Sequence, residues 1–296
     1  MHLSGLYIYP VKSCRGLACD AVRLDALGFE HDRRFLIVDH EGKFLTQRGL
    51  PQMARIATQL TSADLILSAP GAGCVSIPLV LQEAKIRDSA LEIRNAGPAT
   101  RNPPPETPGV RRLTAVVWHD TVEADDCGDE PARWLSDCLG QPARLVRIGA
   151  AYRRPVRKSP DDSVAFNDAF PLLAISQASL DHLNARLETP VPMNRFRPNL
   201  VIAGAPAPHA EDGWTQVRIG LDVVLRAGGP CGRCAVTTTD QFTGERGVEP
   251  LRTLATYRRR TGDPANVDFG QNLIHETKTG TLRIGDPVTP FDPATD

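Results

Sequence analysis

The sequence lacks long apolar runs and a net charge of either sign. Its uninterrupted apolar runs, such as residues 35–38 and 172–175, are far shorter than the roughly 20 residues of a membrane-spanning helix. Lys plus Arg total 34 against 35 for Asp plus Glu, which leaves a net charge of −1. Such a balance gives no overall field to attract nucleic acid or an acidic membrane. We therefore expect neither as a partner.

The sequence also lacks the cysteine pattern of a secreted disulfide framework. It has seven cysteines, an odd number, and no apolar leader segment. Both features favour a reducing compartment, so we expect a cytoplasmic protein. The 296 residues are enough for two ordinary domains.

One cysteine pair stands out because of its neighbours. Cys231 and Cys234 follow a Gly-Gly-Pro turn and precede the β-branched run 235–238, which predicts thiols at the start of a strand. A thiolate is a soft metal ligand and a good nucleophile, and Arg233 between the two sulfurs favours the ionised form. A structural zinc site needs four ligands, yet no second pair has matching spacing. A metal or nucleophilic role, half of a zinc site and an inert buried thiol all stay open.

Most of the periodic signal is short and β-like. Segments such as 3–9, 65–68 and 172–175 recur along the chain between turn residues. Many short strands separated by turn residues predict a barrel or sandwich. Gly42 and Gly280 stand at positions where a tight hairpin requires a positive φ. Because hairpins join antiparallel strands, the sheets are predicted to be largely antiparallel.

Three helices are predicted against this background. The first begins at residues 129–131, with an acidic cap and a proline in its first turn, and Gly140 closes it. The second follows Ser176 and carries an apolar face as far as Leu187. The third follows a Glu-Pro pair and ends in the arginines 258–260, which suit the negative end of the helix dipole.

Two segments have the composition of an anion site. Residues 9–16 follow a strand and offer an ammonium, a hydroxyl and turn amides, although plain loops also have this composition. Residues 193–199 place Arg195 and Arg197 just before a buried strand, and arginine recognises phosphate through a planar pair of donors. A surface arginine pair explains the second segment equally well.

Six segments combine into a pattern that none of them shows alone. In order, they are Tyr-Pro-Val-Lys-Ser-Cys-Arg-Gly at 9–16, Gly-Phe-Glu-His-Asp-Arg-Arg-Phe at 28–35, Thr-Gln-Arg at 46–48, Phe-Arg-Pro-Asn at 196–199, Cys-Gly-Arg-Cys-Ala-Val-Thr-Thr at 231–238 and Phe-Gly-Gln-Asn at 269–272. This order resembles the MOSC family, the molybdenum cofactor sulfurase carboxy-terminal domain family, with its amino-terminal partner module. The resemblance extends over residues 3–288.

The resemblance implies a fold class and a division of the chain. The expected fold is mainly β with some α: an amino-terminal β-barrel-like module packed on a MOSC β-barrel with a few peripheral helices. The expected units are residues 1–125 for the amino-terminal module and residues 126–296 for the MOSC domain.

The resemblance also implies the molybdenum cofactor, which is molybdopterin with its metal. In members resembling the mitochondrial amidoxime-reducing component and its bacterial counterparts, the second cysteine of the pair binds molybdenum, which here is Cys234. Gln271 and Asn272 match positions near the open side of the metal, where substrate would bind. The residues implied around the pterin and its phosphate are Lys12, Ser13, Arg34, Arg48, Ser176, Arg195, Arg197, Asn199, Thr237 and Thr238. Hydroxyl, amide and cationic donors suit a phosphate, and one thiolate suits the metal.

The implied activity is reduction of small N-hydroxylated compounds, such as amidoximes and hydroxylamines, by oxygen-atom transfer to cysteine-ligated molybdenum. Substrate selection is expected in the proline-rich segment 95–108 and the basic segment 152–162. A separate donor protein, ferredoxin-like or flavoprotein-like, is expected to supply electrons, because the sequence has no four-cysteine cluster.

Two features leave the function open. Where relatives often read Phe-Ala-Asp, residues 166–168 read Phe-Asn-Asp, so the role of that loop is open. The alternatives are a sulfur carrier that holds a persulfide on Cys234, and a non-enzymatic carrier that captures the cofactor or another phosphorylated ligand through its cationic residues.

Overall fold

The computed structural model describes residues 1–80 and 110–292. These residues form mainly β-structure with three α-helices among them, which confirms the expected fold class. In chain order the strands are β1 His2–Ile8, β2 Leu17–Cys19, β3 Ala21–Asp25, β4 Gly28–Phe29, β5 Phe35–Val38, β6 Ala57–Leu60, β7 Asp64–Ala69, β8 Gly73–Pro78, β9 Arg112–Val117, β10 Asp120–Asp126, β11 Arg144–Arg147, β12 Pro155–Val156, β13 Ser159–Ser163, β14 Leu172–Ser176, β15 Leu200–Ala203, β16 Gln216–Ile219, β17 Val223–Arg233, β18 Arg259–Arg260, β19 Asp263–His275, β20 Thr281–Arg283 and β21 Val288–Phe291. The helices are α1 Asp129–Leu139, α2 Gln177–Asn184 and α3 Leu251–Leu254.

The largest sheet joins the beginning of the chain to its second half. Its nine strands run in the order β2-β1-β15-β14-β19-β17-β16-β21, with β18 beside β19. The β14–β15 pair is parallel and the other neighbouring pairs in this sheet are antiparallel, so the prediction of largely antiparallel sheets is confirmed. Leu6, Leu200 and Leu273 belong to the buried apolar layer against this sheet. Burial of that layer is the main stabilising contribution here.

Smaller sheets complete the amino-terminal part. Strands β6, β7 and β8 form an antiparallel meander, and β5, β11, β10 and β9 form a four-stranded sheet. Leu65 and Leu67 of the meander belong to a buried cluster that includes Leu135 of α1. Strand β11 lies beyond residue 125 but pairs with β5 and β10, which begin before it, so strand pairing crosses the predicted boundary. The division into units 1–125 and 126–296 stays a prediction.

The first two predicted helices are present. The left-handed Gly140 closes α1, as expected, but Gly128 occupies the cap position and Asp129 is the first helical residue. Ser176 caps α2, because its hydroxyl accepts the N–H of Ser179 at 3.1 Å. The α2 helix ends at Asn184, three residues before the predicted apolar face ends.

The third predicted helix is much shorter than expected. Only Leu251–Leu254 is α-helical, and Arg259 and Arg260 lie in β18. The side chain of Arg260 pairs with Asp268 of the neighbouring β19 at 2.6 Å. The expectation that the arginines end a helix was wrong, because ion pairing and strand pairing to β19 fix them instead.

The cysteine pair lies at the end of a strand, so the prediction of a strand start was wrong. Cys231 is inside β17, Cys234 follows this strand directly, and residues 235–238 form a 3-10 turn. The hydroxyl of Thr237 donates to the carbonyl of Cys234 at 3.0 Å. Threonine hydroxyls can satisfy nearby carbonyls in this way, which offers a β-branched run an alternative to a strand.

Two irregularities in the β17–β19 pairing shape the same region. Gly228 is an extra residue on β17, whereas Phe269 and Gly270 of β19 together face Cys231 alone. A bulge bends its strand and redirects the neighbouring side chains. The bulges place this bend beside the cysteine pair, and the ring of Phe170 lies against the bare face of Gly228.

The two segments expected to select substrate have different outcomes. Residues 95–108 lie outside the described residues. Residues 152–162 contain the hairpin of β12 and β13 rather than an irregular loop. Arg154 there is buried and pairs with Asp120 at 2.7 Å, so this part of the segment is anchored.

The longest described helix, α1, has eleven residues. Within the ranges 1–80 and 110–292, no helix combines the length and the apolar character needed to cross a bilayer. The cytoplasmic location stays a prediction.

Candidate active site

One cleft brings together three distant parts of the chain. It lies where the loop after β1, the segment before β15 and the end of β17 meet. Residues 166–170 and the start of β14 complete its wall. The lining residues are Lys12, Ser13, Arg33, Arg48, Asn167, Asp168, Ala169, Phe170, Leu172, Leu173, Phe196, Arg197, Asn199, Cys231, Gly232, Arg233, Cys234, Val236 and Asn272. Seven of the residues implied by the resemblance are in this set: Lys12, Ser13, Arg48, Arg197, Asn199, Cys234 and Asn272.

The cleft is strongly electropositive. Five cationic side chains line it, and Asp168 is the carboxylate among the lining residues. Asp168 accepts hydrogen bonds from Arg48 and from the indole of Trp118, each at 3.2 Å. Although burial raises the pKa of Asp168, the charges of Lys12 and Arg48 hold it well below its usual range. An electropositive cleft of this kind favours an anionic ligand.

Lys12 is the most deeply placed of these cations. Its side chain is 7% exposed, and its ammonium donates to the carbonyl of Phe166 at 2.7 Å and to the carboxylate of Asp168. Burial lowers the pKa of Lys12 to about 8, even though Asp168 favours the charged form. The ammonium is therefore present at neutral pH and lost in mildly alkaline solution.

Three residues that line the cleft have a left-handed backbone. Ser13, Arg33 and Arg197 all have positive φ, at 67°, 49° and 56°. Such conformations cost about 1–3 kcal/mol each and persist where the surroundings enforce them. Both guanidiniums lie over the ring of Tyr9, with Cζ at 4.1 Å for Arg33 and 4.3 Å for Arg197. Asp32, which is buried, forms an ion pair with Arg33 and so fixes the position of the Arg33 guanidinium.

The two thiols of the pair have different neighbours. Arg233 donates to the sulfur of Cys231 at 2.9 Å. Cys234 lies near Arg48. Although burial lowers the pKa of Arg48, the neighbouring Asp168 and Cys234 groups raise it above its usual range. Within residues 1–80 and 110–292, no three His, Cys, Asp or Glu side chains group as metal ligands. A metal bound at Cys234 would need most of its ligands from a cofactor.

Several residues implied at the cofactor lie elsewhere. Arg34 pairs with Asp25 at 2.7 Å, and Arg195 pairs with Asp240 at 2.9 Å. Ser176 is fully buried and its hydroxyl caps α2. None of these three side chains lines the cleft. Arg33, one position before Arg34, does line the cleft. Its positive φ and its ion pair with Asp32 distinguish it from Arg34, and the sequence alone did not reveal either feature.

The other implied residues lie behind the cleft or bridge strands. Thr237 and Thr238 are buried in the turn after Cys234. Gln271 is 2% exposed and does not line the cleft. Asn199 lines the cleft, but its side-chain amide is already bonded to β1, where it donates to the carbonyl of Tyr7 at 3.1 Å. These residues support the walls of the cleft.

Sequence reasoning missed the residues that complete the cleft. Asn167 and Asp168 belong to the segment that departs from the family pattern, and Arg154 donates to the carbonyls of both, at 2.6 and 2.9 Å. No sequence signal pointed to them, because the burial of Arg154 depends on pairing with Asp120, which is distant in the chain. A larger cavity of about 690 Å³ borders α1, but no cysteine lines it.

Raising the pH is expected to weaken anion binding at the cleft. The folded pKa of Lys12 is about 8, so its ammonium is lost as the pH rises through that value. If only the charged form binds sulfate, affinity falls about tenfold between pH 7 and pH 9. Titration calorimetry with sulfate measures this. Lys12→Met should bind more weakly at pH 7 and show a flat profile, and an equal fall in that variant would contradict the assignment to Lys12.

Comparison with known proteins finds matches along nearly the whole chain. Residues 161–289 match the MOSC domain, and residues 1–100 match the MOSC N-terminal beta barrel domain. The chain is 35% identical over 303 residues to mitochondrial amidoxime-reducing component 1 of Homo sapiens, covering 96% of this chain and 81% of that one. It is 36% identical over 302 residues to the same component of Mus musculus, covering 96% and 80%.

A second kind of relative shares only part of its length with this chain. The molybdenum cofactor sulfurase of Oryza sativa subsp. japonica is 33% identical over 299 residues, covering 93% of this chain but 33% of the sulfurase. The chain therefore belongs to the MOSC family, in the form that carries the MOSC N-terminal beta barrel domain.

Proposed function

We propose that the chain binds the molybdenum cofactor in the cleft and reduces small N-hydroxylated compounds to amines. The observation that carries the proposal is the position of Cys234, whose thiol lines a cleft with five cationic side chains. A soft thiolate suits molybdenum, and a cluster of guanidinium and ammonium groups suits a phosphate. Relatives named amidoxime-reducing components support the substrate class.

The residues present fit such a cofactor. Lys12, Arg33 and Arg197 offer charged donors for the phosphate. Two lining residues also have buried polar atoms without a partner among the described residues, Nε of Arg233 and Oδ1 of Asn167. Buried donors and acceptors are rarely left unpaired. A polar ring system with its own donors and acceptors, such as the pterin, would satisfy both.

The reaction needs two electrons and two protons for each molecule of substrate. An N–O bond breaks, an amine forms, and the oxygen leaves as water. When bound, the cofactor supplies the oxygen-atom acceptor and its redox chemistry. A separate one-electron donor protein supplies the electrons.

The chain's own contribution is to bind and orient. Asp168 positions Lys12 and Arg48 by hydrogen bonds, and the Lys12 Nζ keeps its proton up to about pH 8. Asn272 is the residue of the Gln271–Asn272 pair that lines the cleft. Its amide nitrogen donates to the carbonyls of Gly229 and Pro230, which leaves its carbonyl oxygen to face a substrate N–H.

The test is purification from cells that make the cofactor. We expect about one molybdenum per folded chain. After anaerobic reduction with dithionite, benzamidoxime should yield one benzamidine for each two electrons consumed. Folded protein with less than about a tenth of an equivalent of metal would overturn the proposal. A metal-free protein with a persulfide on Cys234 would instead support the sulfur carrier.

A further inference from the structure

An exposed aromatic side chain stands at the tip of the hairpin that follows the Cys234 turn. This hairpin, residues 239–247, is closed by pairing of Thr239 with Arg246. Asp240 fixes its tip, since the carboxylate accepts the N–H groups of Phe242 and Thr243, each at 2.9 Å. The Phe242 ring is nevertheless 63% exposed. An exposed aromatic with an arginine over it is a composition that protein interfaces favour.

Three arginines lie on or beside this hairpin, and one of them contacts the ring. Arg15 lies over it with Cζ at 5.3 Å from the ring centre, and the side chain of Arg55 lies against the bare face of Gly244. Arg246 is exposed and pairs with Thr239 in the same hairpin. Within the described ranges, none of the three has a carboxylate within ion-pair distance. We call Arg15, Arg55, Phe242 and Arg246 the basic aromatic patch.

The basic aromatic patch is directly linked to the cleft. Arg246 donates to the backbone carbonyls of Gln47 and Arg48, the latter at 2.9 Å, and Arg48 lines the cleft. On the other side, Gln241, next to Phe242, accepts a hydrogen bond from Arg197 at 3.3 Å. One layer of residues therefore separates the patch from the cleft. A protein docked there would be close to the cofactor site.

We infer that the basic aromatic patch is the docking surface for an acidic electron-carrier protein, a small iron–sulfur protein of the ferredoxin class. The inference deepens the proposed function, because that reaction consumes two electrons per turnover and the ferredoxin class delivers them one at a time. Charge complementarity selects the partner, since unpaired guanidiniums attract carboxylates and speed association. Aromatic and arginine side chains are also the residues that most often dominate a protein interface.

The local charge favours a protein over other polyanions. The whole chain carries a charge of −1, so a polyanion would be attracted only by local positive regions, such as this patch and the cleft. An anionic membrane binds through an amphipathic helix or several basic residues with deeper apolar anchors. One exposed aromatic ring with a guanidinium over it, and two more arginines at the same hairpin, is better matched to a compact acidic face.

The experiment measures binding of a purified acidic plant-type [2Fe–2S] ferredoxin to the full chain by titration calorimetry at low salt. We expect binding that weakens as salt rises. Arg55→Glu and Phe242→Ser should each weaken it about tenfold or more. The matched control is Arg218→Glu, which reverses an exposed arginine stacked over Phe291 at 5.1 Å, far along the sheet, and should leave binding unchanged.

Turnover separates this inference from the proposed function. Reduced methyl viologen needs no docking surface, so Arg55→Glu and Phe242→Ser should keep viologen-driven reduction of benzamidoxime and lose ferredoxin-driven reduction. No viologen-driven turnover in the wild type would count against the proposed function, while the binding titration still tests the surface. The inference is overturned if ferredoxin does not bind, or if both variants bind it as the wild type does. Binding of phosphatidylserine vesicles in its place, lost in the same variants, would assign the surface to lipid and also overturn it.

Discussion

Replacing Cys234 by serine is expected to remove bound molybdenum and to lower turnover more than about a hundredfold. Mutating a residue that only orients a metal ligand already lowers metal affinity or activity by about 10–100-fold. Cys234 directly follows β17 and lines the cleft with five cationic side chains. A serine hydroxyl keeps the size but not the soft thiolate that molybdenum prefers. Metal analysis and viologen-driven reduction of benzamidoxime measure the two effects.

The matched control is Cys231→Ser. That thiol also lines the cleft, but it accepts a hydrogen bond from Arg233 and lies opposite the bulge in β19. The variant should keep its metal and stay within about threefold of wild-type turnover, as expected for loss of one hydrogen bond. If Cys231→Ser loses the metal and Cys234→Ser retains it, the roles of the two cysteines are reversed. Retention of metal and activity in both variants would contradict a protein thiolate ligand.

The parts of the fold that follow local rules were predictable from the sequence. Gly140 ends α1, and Ser176 caps α2, because each residue satisfies helix-end groups in the ordinary way. Short β segments between turn residues predicted the mainly β fold. Lys12, Arg197 and Cys234 were placed at one site by the resemblance, and the structure brings all three to one cleft.

The features that were missed depend on contacts between distant residues. Arg33 rather than Arg34 lines the cleft, because a positive φ and a buried ion pair with Asp32 orient it. Arg154 belongs to the basic segment that was expected to select substrate, yet it is buried and donates to the carbonyls of Asn167 and Asp168. No local pattern in the sequence reports such tertiary pairing.

Gly270→Ala is expected to be the most destabilising conservative change in the sheet. Gly270 is buried in β19 at the bulge opposite Cys231, with φ of +83°. A Cβ there would lie 2.6 Å from Cγ1 of Ile175 and 2.8 Å from the carbonyl oxygen of Ala174. The left-handed backbone costs about 1–2 kcal/mol for a residue with a side chain. Overpacking adds about 1–3 kcal/mol, because the neighbouring β14 backbone cannot give way without breaking sheet pairing.

The control that separates these two contributions is Gly71→Ala. Gly71 has a similar φ of +79°, in the turn between β7 and β8, and no atom lies within 4 Å of its Cβ position. This variant should lose only the backbone contribution, about 1–2 kcal/mol. Urea unfolding followed by circular dichroism compares the two free energies of unfolding. Equal losses in the free energy of unfolding would mean that the close approach of β14 to the bulge adds nothing. A larger loss in Gly270→Ala would show that the bulge requires a glycine where it packs against β14, beside the cysteine pair.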